Sequence, residues 1–559
     1  MFTQGRGPAG ATIASRLSRS KTAPSVLLLE AGGPNADPQL RLLAQRFQTF
    51  MTPSMSWGYK TEPQAVKNGH NGGVVDYSRG KGLGGSTAVN FACWTVGPKE
   101  DYDEWARIVG DDFFNWNHAT ERRKRFEAYV VPENAEHAKY VEPVKEVHGS
   151  SGPVHVEVPS KWAKDVSFSL DAMEEAGLKI NKDLNSGDVI GAAICPSTSS
   201  NSWRSTAATE FLQDTPKNLT ILTDTQATKI IFNGKKATGV EANGKIYSSN
   251  KDVIISAGAL DTPKLLLLSG VGPEEEITKH NIPMVHSLPG VGRNLGDHPF
   301  NFTLLQIRDD LNDLSQLADQ AFAEAAKKQF IESGTGAYAQ AYGIVIMAFN
   351  NATEELLSSP EFKALPPDVQ AHICKRNVPV IEWINLAPPV PPAFDQTKTY
   401  LPACQVLMST QSRGTVTLAS ANPDDAPICD PKIMTHPFDL LNYKLGMKAL
   451  LKVLRSDAFA RNTMSWVLAP RSDSHEDIMD HCAQTIATAW HMSCTAKMGR
   501  ADDEMSCVDT DFMVRGLEGL RVADMSVTPF VFNCHVQSVA YTIGETAAER
   551  LIAEYALDG

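Results

Sequence analysis

Apolar residues in this chain gather in short blocks separated by glycines and polar turns, and the blocks follow two periodicities. Ser25-Val26-Leu27-Leu28-Leu29 is an apolar run of strand length that stops on Glu30, Ala31 and Gly32. Asp252 to Ser256 predicts another strand. It runs into Gly258-Ala259-Leu260-Asp261-Thr262-Pro263-Lys264-Leu265-Leu266-Leu267-Leu268, a helix pattern closed by glycine at Gly270 and Gly272. Val154-His155-Val156-Glu157-Val158 alternates with period two after the turn residues His148 to Pro153. Gly519 to Asp524 reads as a strand ending in an acid. Tyr541 to Tyr555 reads as an amphipathic helix with Ile543, Ala547 and Leu551 on one face. Ala387 to Ala393, rich in proline, predicts a rim loop over an entrance.

The first block carries the sharpest chemistry. Gly5-Arg6-Gly7-Pro8-Ala9-Gly10 leads into a helix-like stretch, Ala11 to Leu17, and Glu30 follows about 20 residues later. Glycines there let backbone N–H groups approach a pyrophosphate at a helix N-terminus, and an acid at that spacing can accept from a ribose diol. The pattern predicts that a dinucleotide is held by Gly5, Gly7, Gly10 and Glu30. Only Met1-Phe2-Thr3-Gln4 precede the turn, with no β-branched run. The expectation is therefore a stunted central strand or a late start to the chain, with neighbouring backbone groups left unpaired and cofactor binding weakened.

A length of 559 residues predicts two domains or a two-lobed unit. A net charge of −13 leaves no basic surplus for nucleic acid. The basic cluster Arg122-Arg123-Lys124-Arg125 is read as a solvated helix face. No apolar run reaches the roughly 18 residues of a membrane span, and no secretion signal opens the sequence. The 9 cysteines are dispersed without a C-x-x-C pair, which points to reduced thiols and away from a metal site. Cytoplasmic residence is the expectation, or secretion if an N-terminal leader has been lost.

Two further motifs identify a family. Gly80-Lys81-Gly82-Leu83-Gly84-Gly85-Ser86-Thr87-Ala88-Val89-Asn90 is a second glycine-rich stretch. Together with Gly258 to Gly272 it resembles the two signatures of the glucose–methanol–choline (GMC) flavoproteins. Trp57 to Gln64, Arg204 to Ala208, Gly290 to His298 and Gln411 to Leu418 resemble lesser family segments. The resemblance spans almost the whole chain and includes choline dehydrogenase-like, fungal aryl-alcohol oxidase-like and specialised-metabolite members. It implies an α/β fold: a Rossmann-like FAD-binding domain interleaved with an α+β substrate domain whose antiparallel sheet roofs the flavin. The implied segments are 1–60, 76–148, 187–300 and 484–559 for FAD, and 149–186 and 301–483 for substrate. Gly84, Gly85, Ser86 and Asn90 would pack on the cofactor. Ala227, where members commonly carry valine, would clamp the adenine, and Asp524 would be a cofactor ligand. No histidine lies in Ser86 to Phe91, which implies dissociable FAD.

By the same resemblance the reaction belongs to His491, in Thr488 to Ser493, and His535, in Pro529 to Gln537. A neutral imidazole can take an alcohol's hydroxyl proton while hydride leaves the carbon for flavin. His491 corresponds to that base and His535 to its partner, while His298 and His148 are read as structural. Cys494 and Cys534 are read as buried filler. Trp94, Phe530 and Phe532 point to an aromatic or apolar alcohol, a secondary-metabolite intermediate among the candidates, with oxygen or another acceptor as second substrate. Three readings stay open: alcohol oxidase or dehydrogenase, a non-redox FAD-containing cyclase or lyase, and an inactive binding protein. A monomer or homodimer is expected.

Overall fold

The computed structural model describes residues 2–5, 7–67, 69–131, 137–312, 316–317, 319–340, 344–386, 394–395 and 397–559. The proline-rich loop 387–393 lies outside the described residues. The strands used below are, in chain order, β1 (Phe2–Gln4), β2 (Val26–Leu29), β3 (Leu219–Leu222), β4 (Val253–Ile255), β5 (Pro299–Ile307), β6 (Ile344–Asn350), β7 (Ile381–Leu386), β8 (Thr399–Leu407), β9 (Thr463–Leu468), β10 (Ala487–Thr488) and β11 (Leu520–Val522). The helices are α1 (Pro8–Ser18), α2 (Gly258–Leu268), α3 (His475–Thr485) and α4 (Gln537–Glu554).

Continuous apolar runs became parallel strands, because a strand covered on both faces needs no polar alternation. They form a five-stranded sheet in the order β11-β4-β1-β2-β3, with every pairing parallel. The short first strand fills its slot. Phe2, Thr3 and Gln4 register with Val253, Ile254 and Ile255 on one side and with Leu27, Leu28 and Leu29 on the other. The neighbours' ladders are thus occupied, contrary to the expected gap. Helices α1 and α4 pack on each other beside this sheet.

The second sheet is antiparallel, in the order β6-β7-β8-β5-β9 with β10 also paired to β5. Its own apolar cluster includes Leu305, Ile346, Trp383, Leu401, Phe438 and Leu450. The cluster under the parallel sheet draws on Ile13, Leu28, Ile254, Leu266, Val522 and Ile543. Helix α4 begins at Gln537, four residues before its apolar stripe suggested. Its first turns carry Ser538, Ala540 and Thr542, small residues buried on every side and so not patterned as amphipathic. Half of the basic cluster corrects a second expectation: Arg122 and Arg123 are buried at 2% exposure, while the Lys124 and Arg125 side chains keep 35% and 49%. Arg122 bonds Glu549 at 2.9 Å and lies over the Phe113 ring.

Candidate active site

One cavity of about 350 Å³ runs from the parallel sheet to the antiparallel one. Gly5, Gly7, Glu30, Gly85, Ser86, Asn90, Ala227, Asp524, His491 and His535 all line it. Gly10 and Gly84 do not; they shape the turns behind it.

The turn after β1 admits only glycine where it crosses other backbone. Gly5 has φ +93°, and a Cβ on Gly10 would lie 1.9 Å from the Gly5 carbonyl oxygen. A Cβ on Gly7, by contrast, would meet nothing within 4 Å and would project into space the backbone leaves open. Helix α1 starts there with Gly7 as N-cap, no capping side chain and no acid in its first turn. An uncapped helix start facing open space fits an anionic pyrophosphate. The Glu30 carboxylate is fixed beside it, its Oε1 accepting from the Gly32 and Gly82 N–H groups at 3.0 Å each. The residues present therefore fit a dinucleotide cofactor.

Further along, Asp524 at the end of β11 accepts from Gly258 N–H at 2.9 Å, Thr262 Oγ1 at 2.6 Å and Ser526 N–H at 2.7 Å. It ties β11 to the start of α2, and burial pushes its carboxyl up. Asn90 accepts from Ala92 N–H at 3.0 Å and Arg204 at 2.8 Å, and its amide donates to Gln537.

The two histidines meet at the far end, ring centroids 4.7 Å apart. His491 sits in a loop leaving β10, pinned by Asp297. That carboxylate accepts from the His491 N–H at 2.8 Å and from the Thr488 hydroxyl, and burial raises it to about 6. The preceding residue, Trp490, is held at φ +57°, an uncommon conformation for a bulky side chain. His491 Nδ1 lies 3.0 Å from Nδ1 of His298. Burial, then the nearby His535, holds His491 well below the usual imidazole range, and burial takes His298 down to about 3. Both rings are neutral. His298, read as structural, thus touches His491 directly from outside the cavity lining.

His535 behaves oppositely. Its Nε2 lies 3.1 and 3.2 Å from the two oxygens of Glu382, which is fully buried on β7. Burial alone would lower the ring, but Glu382 and the Cys93 thiol outweigh it and raise it to about 10. Glu382, Asp297 and Cys93 were missed in the sequence. The one available signal was an acid inside the apolar run Ile381-Glu382-Trp383-Ile384.

Trp94 and Phe532 are core residues and do not reach the cavity, and Phe530 stacks on Phe532. The cavity's own aromatic rings are Phe47, Phe50, Trp57, Phe91, Phe300 and Trp490. Phe47, Phe50, Phe91, Phe300 and Trp490 contact one another, with Phe50 against Trp490 at 4.8 Å. Cys494 and Cys534 are buried, as expected of filler. No helix among the described residues is long and apolar enough to cross a membrane.

The family models described as GMC oxidoreductase match residues 9–300 and 410–544. The glucose methanol choline oxidoreductase atC of Aspergillus terreus is 32% identical over 98% of this chain and 92% of its own length. Patulin synthase of Penicillium expansum is 29% identical over 97% of this chain and 90% of its own. The structure of an FAD-dependent oxidoreductase from Chaetomium thermophilum superposes with a TM-score of 0.87 at 25% identity, covering 99% of both chains. With both family models matched in order across one two-sheet fold, this chain belongs to the GMC oxidoreductase family.

Proposed function

We propose that this protein is an FAD-dependent oxidoreductase acting on the CH–OH group of an aromatic or apolar alcohol, with His491 as general base. The observation that carries this reading is the pair of imidazoles at one end of the cavity, one neutral and one cationic, with the dinucleotide cradle at the other. Segments 1–60, 76–148, 187–300 and 484–559 would hold FAD, and segments 149–186 and 301–483 would roof the substrate. Gly5, Gly7, the N-terminus of α1 and Glu30 would take the pyrophosphate and ribose; Ala227 the adenine; and Gly85, Ser86, Asn90 and Asp524 the span toward the histidines. Bound FAD supplies the acceptor for the hydride leaving the alcohol carbon.

The chain's own residues handle the proton. A neutral His491 is available to accept the hydroxyl proton at Nε2 at every pH at which burial keeps it unprotonated. That requires its hydrogen on Nδ1, donated to His298 Nδ1 at 3.0 Å. Protonated His535 faces the same oxygen as a fixed cation and stabilises the charge that develops there. The aromatic rings from Phe47 to Trp490 give a substrate ring apolar and stacking contacts while excluding water. Patulin synthase, a relative named for the compound it makes, supports placing the substrate among specialised metabolites.

The test is anaerobic mixing of the flavin-loaded protein with a panel of aryl and alkyl alcohols. Bleaching of the flavin band is expected with an aryl alcohol, and His491→Ala should slow it by about 10²-fold or more. Turnover that leaves the flavin band unbleached would overturn the redox reading in favour of acid–base chemistry alone.

A further inference from the structure

The loop that carries His535 is held from outside the cavity by one carboxylate. Asp101, fully buried on the helix Lys99–Val109, accepts from the Asn533 N–H at 2.7 Å and from the Asn533 side-chain amide at 3.0 Å. Its Oδ1 also lies 3.0 Å from His372 Nε2. One residue thus clamps both oxygens of a buried anion, a geometry that a shift of the loop would break and that is costly to leave unmade. The Asn533 Oδ1 faces the other way and accepts from the Ser409 N–H at 2.6 Å, with the Ser409 hydroxyl at 3.0 Å. Ser409 follows β8, and its hydroxyl is 2.8 Å from the Pro379 carbonyl, three residues before Glu382 on β7. The helix that carries Asp101 steadies the rest of the loop. Phe532 meets the rings of its Tyr102 and Trp105 edge-on, at 5.0 and 5.5 Å. The His535 N–H donates to Thr95 Oγ1 at 2.7 Å. Neither Asp101 nor Asn533 lines the cavity.

We propose that Asp101 is a positioning residue for His535, fixing the loop through Asn533 so that the imidazole stays seated against the Glu382 carboxylate. The proposal rests on the reading of His535 as the cation at the substrate oxygen. Asn533 is the joint. One end of its side chain grips Asp101, and the other grips the turn at Ser409, which is tied to the strand pair that presents Glu382 opposite Val406. The 3.1 Å between His535 and Glu382 is therefore set by a clamp on the residue two places earlier. Coulomb attraction falls as that distance grows, and water entering between the two weakens it further. The titratable groups that interact with His535 are Glu382, Cys93, His491 and His298. Substituting Asn533 alters none of them, so a changed ring charge in such a variant reports geometry alone.

The test uses the flavin-loaded protein, with Asn533→Ala removing both side-chain links and no charge. Selective ¹⁵N-histidine spectra, in which His535→Asn identifies the resonance, should show the ring losing its proton at a pH lower by about one unit or more than in the wild type. Anaerobic bleaching per bound flavin should fall about tenfold or more at pH 8 and recover toward pH 5, where the wild-type rate does not rise. Asp101→Ala should behave alike, and Asp101→Asn, which keeps an acceptor for the Asn533 N–H, should fall between. Ser409→Ala deletes a single hydroxyl and stands if the others fail to fold; its ring should also titrate below the wild type's. An unmoved His535 titration in Asn533→Ala, or in Ser409→Ala if only that variant folds, would overturn the proposal even with a lowered melting temperature. The spectra need no substrate. A lowered titration in a protein that no alcohol bleaches upholds the clamp and removes alcohol oxidation, whereas bleaching with an unmoved titration removes the clamp alone.

Discussion

Replacing Glu382 by glutamine deletes one buried charge and little else, so its consequences can be worked from the geometry. In the native site the carboxylate holds His535 Nε2 at 3.1 Å, and the imidazole stays protonated to about pH 10. Raising a histidine from 6.5 to that value corresponds to roughly 5 kcal/mol in favour of the cation. Without the anion, burial is opposed by the Cys93 thiol alone and brings the ring down from about 10, so less of His535 is cationic at pH 8. A unit charge about 4 Å from a developing oxyanion contributes about 4 kcal/mol at an effective dielectric near 20, or about 10³ in rate as an upper figure. Glu382→Gln should therefore slow anaerobic flavin bleaching by about 10²- to 10³-fold at pH 8, with partial recovery toward pH 5 as His535 regains its proton. Wild type should show no such recovery. Stability gives an independent check. A raised folded-state value stabilises fully below pH 6.5 and loses that contribution as pH rises through about 10. The wild-type unfolding midpoint should fall across that window, and the variant's curve should be flatter. Stopped-flow bleaching and differential scanning calorimetry across pH 5–10 are the assays. A variant that bleaches at the native rate with the native pH profile would refute the role of the cation.

Other perturbations isolate other links. Gly10→Ala places a Cβ 1.9 Å from the Gly5 carbonyl oxygen and should lower the melting temperature and abolish flavin retention. Gly7→Ala, whose Cβ meets no protein atom, should keep the fold yet weaken FAD by about tenfold or more in an equilibrium titration. His298→Ala removes the Nδ1 partner that orients His491 and should lower the flavin-reduction rate by about 10-fold or more, with His298→Asn partly restoring it. His481 on α3 is pushed down to about 4 by burial, so its contribution is present above pH 6.5 and lost as pH falls through about 4, at most about 3 kcal/mol. His481→Phe should flatten the acid side of the melting-temperature profile, as read by calorimetry at pH 7 and 4.5.

What could be read in advance is what the chain encodes locally. The turn from Gly5 to Gly10, Glu30 about 20 residues on, and the two histidine loops are each specified within a short stretch. The cavity brings them together without further information. Glu382 could not be found this way. It reaches His535 because β7 pairs with β6 and β8 in a register that sets Glu382 opposite Phe349 and Val406, and a register is a non-local property. The buried half of the basic cluster, Arg122 and Arg123, escaped for the same reason. Arg122 is covered by Phe113 and by Glu549 of α4, more than four hundred residues away, so a charged run lies against a partner that composition does not reveal. Trp94, Phe530 and Phe532, expected near the flavin face, turn inward and do not line the cavity. The aromatic lining instead came from Phe47 and Phe50, on a short helix with no motif of its own.

Both imidazoles are buried, and burial by itself would leave both neutral; the difference between them comes first from the Glu382 carboxylate, with the Cys93 thiol adding to it. His491 touches a second neutral ring and stays a proton acceptor, while His535 touches Glu382 and stays a cation. Removing that carboxylate should bring the two rings closer in charge, so in Glu382→Gln the rate of alcohol-driven bleaching should rise from pH 8 toward pH 5 where the wild type's does not. A variant whose bleaching follows pH as the wild type's does would mean that the charge on His535 plays no part at the substrate oxygen.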